Sequence, residues 1–388
     1  MAQITVAQGA RTVGTLTTEG RRVRDVEKML WQLEPDAGPL TTMLSRLSAD
    51  TATDPKVEWF EDQLLPDFDT LAANLAVGDA TMTVNNYKLF RSGDIVRIND
   101  NEQVRVNTTP TSAAVAITRA QGNAAQAAVA GNRLWIVSDA GVEFGTNRDG
   151  LSTIKQNMYN YIQFVQTPCI FSLQEINTDT FAGKDLPQEH RKAYIEHKKK
   201  LEKQLLVGLP YEDTTSQSPY TIRTFGGLGY YIKTNVKDVS AGFTEPEWES
   251  FLRVVFRYGS KERLVLGSPA FMQALSTFAR SKIQTRSGET SYGLTLTQYK
   301  CFFGTVLMAN EVLLNNFDLT DLSGVGGWAF VIDINKVKFA YQQNMGMRMA
   351  ENIQLPAQEG RIDEVRSYSS LKLFNEQAHG LLTGAGQS

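Results

Sequence analysis

Cysteine and histidine are scarce in this sequence. Its 388 residues include two cysteines and three histidines. Cys169 and Cys301 cannot build a disulfide framework or a cysteine-rich zinc site. Cys169 follows Pro168 in an apolar run, and Cys301 stands in Tyr299-Lys300-Cys301-Phe302-Phe303. Neither has a neighbouring histidine to activate a thiolate, so both read as small buried hydrophobes. His190 and His197 fall seven apart on one helical stretch, about 10 Å at 1.5 Å per residue, while a helical metal pair stands four apart. Structural or surface roles are expected for them and for His379. An excess of basic charge is also missing. Lys and Arg total 39 against 42 Asp and Glu, a net charge of −3, which excludes the electrostatic footprint of a dedicated nucleic-acid binder. No apolar run approaches the ~20 residues that span a bilayer. Residues 1–20 lack the apolar core of a secretory signal, so synthesis in a reducing, intracellular place is expected and a membrane partner is not. GxSxG, the Walker A lysine motif and HExxH are absent. No catalytic, cofactor-binding or metal residue is assigned, no cofactor is expected, and the chain is not expected to be an enzyme.

Two features imitate a ligand site. Gly226-Gly227-Leu228-Gly229 is dense in glycine but lacks GxGxxG spacing, and Tyr230 to Val236 alternates like a strand instead of opening a helix. A tight turn or close backbone packing is expected there. The acids at Asp94 to Glu102 and Asp318 to Asp321 miss the calcium-loop spacing and read as solvated turns.

What is present is an ordinary globular balance, with 42% hydrophobic and 21% charged residues. At roughly 150 residues per domain the length suggests two or three domains. Residues 1–20 read as an extended arm. Val23, Val26, Leu30 and Leu33 fall at helical spacing, Glu34 to Pro39 breaks that helix, and a short helix follows at Leu40 to Leu47. Arg21, Arg22 and Arg24 on the first helix could meet an acidic partner or simply face water. Residues 56–65 read as a strand ended by Pro66, with its partner expected far along the chain at Tyr159 to Asn177. Between Val77 and Asp139 short strands recur, with Gly78-Asp79, Gly93-Asp94 and Gly131-Asn132 turns before three of them. A small antiparallel barrel or sandwich inserted in a hairpin is expected there, with a short helix or loop at Asn123 to Ala130. Residues 188–207 form the clearest helix, striped by Tyr194, His197, Leu201 and Leu205. Its lysines 198, 199, 200 and 203, supported by Glu196 and Glu202, suit a solvated face or a nucleic-acid contact. The C-terminal half alternates: a helix at Glu245 to Tyr258 with Thr244 as N-cap, a buried strand at Arg263 to Leu266, a helix at Pro269 to Ala279, a polar loop at Ser281 to Gly293, and later strands. The fold class is α+β.

The order of these elements is similar to that of tailed-phage major capsid proteins of the Hong Kong 97 type. The sequence also resembles a family of such major head proteins over nearly its whole length. The matching stretches are Glu19 to Asp25, Leu33 to Leu40, Glu58-Trp59-Phe60-Glu61-Asp62, Gly226 to Tyr230, Thr234-Asn235-Val236, and Asn375 to Gly380. The resemblance implies an N-terminal arm and helix at 1–50 and an extended loop at 51–177 carrying the inserted β-domain at about 77–139. It implies a peripheral domain at 178–234 with spine helix 188–207, an axial domain at 235–345, and return strands of the peripheral domain at 346–388. Arg286, Ser287, Gly288 and Glu289 become candidates for the loop at the capsomer axis.

The function it implies is a shell of hexamers and pentamers enclosing double-stranded DNA without sequence-specific binding. Such a virion would be assembled in the bacterial host cytoplasm. Scaffolding is expected to be a separate protein or absent, and portal and decoration proteins are further partners of such a shell. Trp59, Phe60, Leu64, Leu65 and Phe68, with the three arginines, are the candidate inter-subunit contacts. The five apolar residues would be exposed on an isolated protomer if they do not pack on the chain's own core. An encapsulin nanocompartment shell and a carbohydrate-binding protein acting through the β-domain are the competing expectations.

Overall fold

The computed structural model describes residues 38–47, 49–99, 102–143, 145, 149–178, 185–217, 219–240, 242–279, 283–284, 290–291, 294–295, 297–316 and 327–385. Arg21, Arg22, Arg24, Arg286, Ser287, Gly288 and Glu289 lie outside the described residues. The chain divides into two compact units, Met1–Glu58 with Tyr159–Ser388, and Trp59–Met158.

In the first unit, α1 (Pro39–Arg46) leads to β1 (Asp50–Ala52) and β2 (Lys56–Glu61). The chain then enters the second unit, which is built from six short strands: β3 (Phe68–Thr70), β4 (Thr81–Thr83), β5 (Asp94–Ile98), β6 (Glu102–Val106), β7 (Ala114–Thr118) and β8 (Arg133–Asp139). They pair antiparallel in the order β3-β8-β5-β6-β7-β4, and a Leu71–Val84 bridge joins the two edges. Alternation explains the core: Val96, Ile98, Val104, Val106, Val115, Ile117 and Leu134 all point inward, against Leu71, Met82 and Phe90. Gly93 and Gly131 take positive φ (86° and 89°) in the turns before β5 and β8, which explains glycine at those two places. Asn123 to Ala130 contains no helix. A half-buried ion pair ties this stretch down. The Arg119 guanidinium lies 2.6 Å from Glu102 Oε2 and also donates to the carbonyls of Ala76 and Gln126.

The chain returns through β9 (Gln156–Tyr161), which pairs with β2, and β10 (Gln163–Phe171). Next comes α2 (Asp185–Val207), 23 residues and about 35 Å long. Ala193, His197, Leu201 and Leu205 make its buried stripe. It is followed by α3 (Leu228–Tyr231), β11 (Val236–Asp238), α4 (Glu245–Val255), β12 (Glu262–Gly267) and α5 (Pro269–Ala279). The remaining labelled strands are β13 (Thr297–Cys301), β14 (Gly304–Asn310), β15 (Ala329–Ile332), β16 (Val337–Gln342), β17 (Arg348–Ala350), β18 (Arg361–Leu373) and β19 (Gly380–Thr383).

Two sheets organise this unit. One runs β1-β16-β18-β10 with β17 added on β18, and α2 packs on β10 and β18. The other runs β11-β19-β15-β12-β14-β13 and ends on Ile283–Gln284. Its central strands are buried on both faces, which is why β12 and β15 read as unbroken apolar runs. One face carries α4 and α5, where Trp248, Phe251, Phe271 and Leu275 pack on Val265, Val306, Met308 and Val331. The start of α4 is fixed locally by a Thr244–Glu247 capping box and Pro246 in the first turn.

The structure corrects several expectations. Asp94 and Glu102, expected in solvated turns, open β5 and β6 and are each only 2% exposed. Residues 228–231 are a short helix and not a strand, because the glycine cluster presses on the end of α2. A Cβ on Gly227 would sit 2.5 Å from the Gln204 carbonyl oxygen and 2.6 Å from that of Leu205. Gly227→Ala is expected to lower stability by about 2–3 kcal/mol, read as a lower urea midpoint at unchanged slope. A further correction is Trp59, which is only 6% exposed. Adjacent residues of a strand point to opposite faces, so Trp59 and Phe60 on β2 cannot share an environment.

Candidate assembly surface

The candidate contacts sit where the chain passes from β2 into the six-stranded unit. Trp59 turns inward and donates its indole N–H to Glu61 Oε1 at 3.0 Å. Phe60, on the opposite face of β2, is 70% exposed, and Leu64 is 95% exposed. Leu65 is half-buried against the core of the six-stranded unit. Phe68 is also half-buried, with its ring 5.1 Å from that of Trp135 and the Arg133 guanidinium 5.3 Å away. Of the five apolar candidates, two are left in water, two are partly absorbed by their own unit, and one is buried.

Other exposed apolar residues were not singled out by the sequence. Phe302 at the β13–β14 turn exposes its whole ring, and Phe303 beside it is partly exposed. Two adjacent aromatics in a tight turn are the signal that could have found them, since such a turn cannot bury both.

The titratable groups that resemble active-site residues are structural. His197 accepts or donates between Thr167 Oγ1 (3.2 Å) and Ser367 Oγ (2.7 Å), and burial lowers its pKa to about 4. His379 accepts from the Asp333 N–H at Nδ1, so its Nε2 carries the proton toward the Phe374 carbonyl. Burial lowers its pKa to about 4 as well. His190 Nε2 lies 2.7 Å from Asp363, whose other partners are Arg361 Nε and the Asn352 N–H. Lys200 reaches back to Thr167 Oγ1 at 3.0 Å, so part of the α2 lysine run serves internal contacts. Burial raises the Cys169 thiol above its ordinary pKa. Among the described residues no three His, Cys, Asp or Glu side chains are grouped to hold a metal ion, and no helix is long and apolar enough to cross a membrane.

Two buried charge clusters escaped the sequence reading. Glu202 on α2, read there as a solvated partner for lysines, is fully buried and accepts from the N–H groups of Leu40 (2.7 Å) and Thr41 (2.6 Å) and from the Thr41 hydroxyl. Glu311, just after β14, lies beside it. Burial raises the pKa of both carboxyls, and the neighbouring Glu202 helps hold Glu311 at about 10. Arg263, expected within a buried strand, is fully buried, and its unforeseen partner is Asp333 at 3.0 Å.

The histidines and buried acids described above are held by partners within the chain, and the feature left in water is apolar surface. The model of the SU10 major capsid protein family matches residues 7–386. The chain belongs to that family. It is a major capsid protein, a shell-forming structural subunit of a bacteriophage capsid, and its place is the virion. Among solved structures, a chain from the capsid of a native GTA particle aligns with a TM-score of 0.50 at 8% identity, covering 97% of this chain and 100% of that one. At that identity the likeness shows the fold alone, a mixed α+β capsid fold. A Gordonia phage Cozz chain aligns at 0.48 with 12% identity over 98% of this capsid protein and 97% of its own length. The SrpI encapsulin complex of Synechococcus elongatus PCC 7942 aligns at 0.42 with 13% identity over 59% of this chain and 76% of that one. No curated protein matches the sequence.

Proposed function

We propose that copies of this capsid protein build the icosahedral head shell around the double-stranded DNA of a tailed bacteriophage, through a Hong Kong 97-type fold assembled in the host cytoplasm. In this reading residues 1–50 are the arm, 51–177 the extended loop with the six-stranded unit inserted, and 178–234 with 346–388 the peripheral domain around its spine helix. Residues 235–345 are the axial domain, and Arg286 to Glu289 are its tip. Hexamers and pentamers form by heterologous contacts that close. Arg21, Arg22 and Arg24 join the contacts from the arm. Portal and decoration proteins, and a scaffolding protein where the shell uses one, are the further partners of this reading.

The observation that carries this reading is the exposure of Phe60 (70%) and Leu64 (95%) four residues apart on one short stretch of the chain. Burying each against a neighbour is worth roughly 1.5–3 kcal/mol, repeated at every copy of the interface. A net charge of −3 suits a container that must hold DNA without gripping its phosphates.

The test is assembly. Purified protein, alone or with its scaffolding protein, is expected to give closed particles or five- and six-fold rings by negative-stain microscopy. Phe60→Asp with Leu64→Asp is expected to cut particle yield about tenfold or more while leaving the thermal midpoint of the subunit unchanged. A protein that stays a compact monomer under all these conditions, or a double variant that assembles like the parent, overturns the proposal.

A further inference from the structure

The end of α4 and the β13–β14 turn enclose an open groove of about 470 Å³ lined by Arg253, Val254, Phe256, Arg257 and Phe303. Its lining combines two aromatic rings and a valine with two arginines. Val254 is 45% exposed and Phe303 39%. The Arg257 guanidinium lies 5.2 Å from the Tyr258 ring, and among the described residues neither Arg253 nor Arg257 has a carboxylate partner. A groove of this kind suits an extended segment that brings apolar side chains together with negative charge.

This chain contains such a segment. Phe60-Glu61-Asp62-Gln63-Leu64-Leu65-Pro66-Asp67-Phe68-Asp69 has four carboxylates and no Lys or Arg. Residues 62–66 have no helix or strand, so their backbone is free of ladder pairing. The segment exposes Phe60 and Leu64, the apolar partners the groove lacks. A rival segment, Glu351 to Glu359, exposes Leu355, but it carries only two carboxylates, and Glu351 is already held by a cation, Arg361, at 2.8 Å, whereas Asp62 and Asp69 accept from the neutral donors Gln63 N–H, Thr153 Oγ1 and Asn86 N–H.

We infer that the Arg253–Arg257 groove of one capsid subunit receives the acidic, apolar 60–69 segment of a second copy. The inference rests on the shell reading and names the two surfaces that meet in it. Opposite charge at the rim sets register and rejects wrong partners, while the buried Phe and Leu hold the contact. The contact is heterologous, so it propagates from copy to copy and closes into a ring when the rotation permits.

Two experiments test it. In a Cys301→Ser background, Leu64→Cys subunits and Phe303→Cys subunits are assembled together and oxidised. Crosslinked dimers between the two kinds of subunit are expected. Particles that form without crosslinks overturn the docking and leave the shell reading intact, as does crosslinking that instead joins Phe303→Cys to a Leu355→Cys subunit. Failure to form any particle from the parent protein overturns both. Separately, Arg253→Glu with Arg257→Glu is expected to lower particle yield at least about tenfold, and adding Asp62→Lys with Asp67→Lys to the same chain to restore it to within about twofold. An unrescued loss, or no loss, counts against the pairing. The unfolding midpoint of each variant, unchanged from the parent, separates lost docking from lost folding.

Discussion

Glu202→Ala is expected to destabilise the capsid subunit by about 3–5 kcal/mol and to release α1 from α2. The N-terminus of α1 has no capping side chain of its own. Gly38 stands at its N-cap with φ +115°, and Pro39 opens the helix. The donors left over, Leu40 N–H and Thr41 N–H, point to a carboxylate more than 160 residues away in sequence. Truncating that carboxylate strands two buried N–H groups and a hydroxyl, each costing about 1–3 kcal/mol. Glu311→Gln should behave in the opposite way. With Glu202 accepting from three donors, Glu202 takes the charge, and Glu311 keeps the proton. Its pKa of about 10 in the folded state lies far above the 4.5 of a free glutamate. The folded state therefore binds a proton that the unfolded state releases. That stabilisation is complete below about pH 4.5 and is lost as pH rises toward 10, at about 1.4 kcal/mol per pH unit at most. A glutamine cannot titrate and still offers an N–H to Glu202. Urea unfolding at pH 6, 7.5 and 9 is expected to show a falling stability for the parent and a flatter, higher curve for Glu311→Gln. Equal slopes for the two proteins would show that Glu311 is not the group that titrates.

The periodic elements were legible in the sequence because their signals are local. The stripe through His197, Leu201 and Leu205 gave α2, Thr244 and Pro246 marked the start of α4, and the apolar run 264–266 gave β12. The buried pair of Glu202 and Glu311 was not legible, because it depends on who meets whom. Glu196 and Glu202 both have Lys198, Lys199, Lys200 and Lys203 within two turns, yet Glu202 is buried while Glu196 is exposed. The docking of α1 and the approach of Glu311 separate them. Trp59 and Phe60 show the same limit at the assembly surface. Alternation demands opposite faces, but nothing local says which face has a covering layer. The glycine cluster at 226–229 was correctly suspected of close packing, yet its helix could not be foreseen without the end of α2 beside it. Membership of a capsid family became visible only through the order of motifs along the whole chain, since no single motif carries chemistry.

Arg263→Met is expected to cost about 3–5 kcal/mol, and its effect should be spread over three segments distant in sequence. The guanidinium lies at the head of β12 and donates to Asp333, to Ser260 Oγ and to the carbonyls of Tyr258 and, at 3.5 Å, Val255, so it closes the C-terminal end of α4. The Phe256 ring lies 5.1 Å away. Asp333 in turn accepts from the N–H groups of Ser260 (2.8 Å) and Asn335 (3.2 Å), capping the turn that starts β16. Its own N–H is held by His379, just before β19. Burial opposes both charges. It lowers the arginine, and Asp333 still stays below the ordinary carboxylate range because its N–H donors and Arg263 outweigh its own desolvation. Methionine keeps much of the volume but leaves Asp333 charged and unbalanced in the core, which is the larger part of the penalty. Arg263→Met with Asp333→Asn should therefore recover part of the loss, because the amide keeps an acceptor for the Ser260 N–H without a charge. A double-mutant cycle by urea unfolding measures this, with an interaction energy of about 1–3 kcal/mol expected. If the two losses simply add, the pair is not coupled, and the burial of Arg263 has to be explained by its carbonyl contacts at the end of α4 alone.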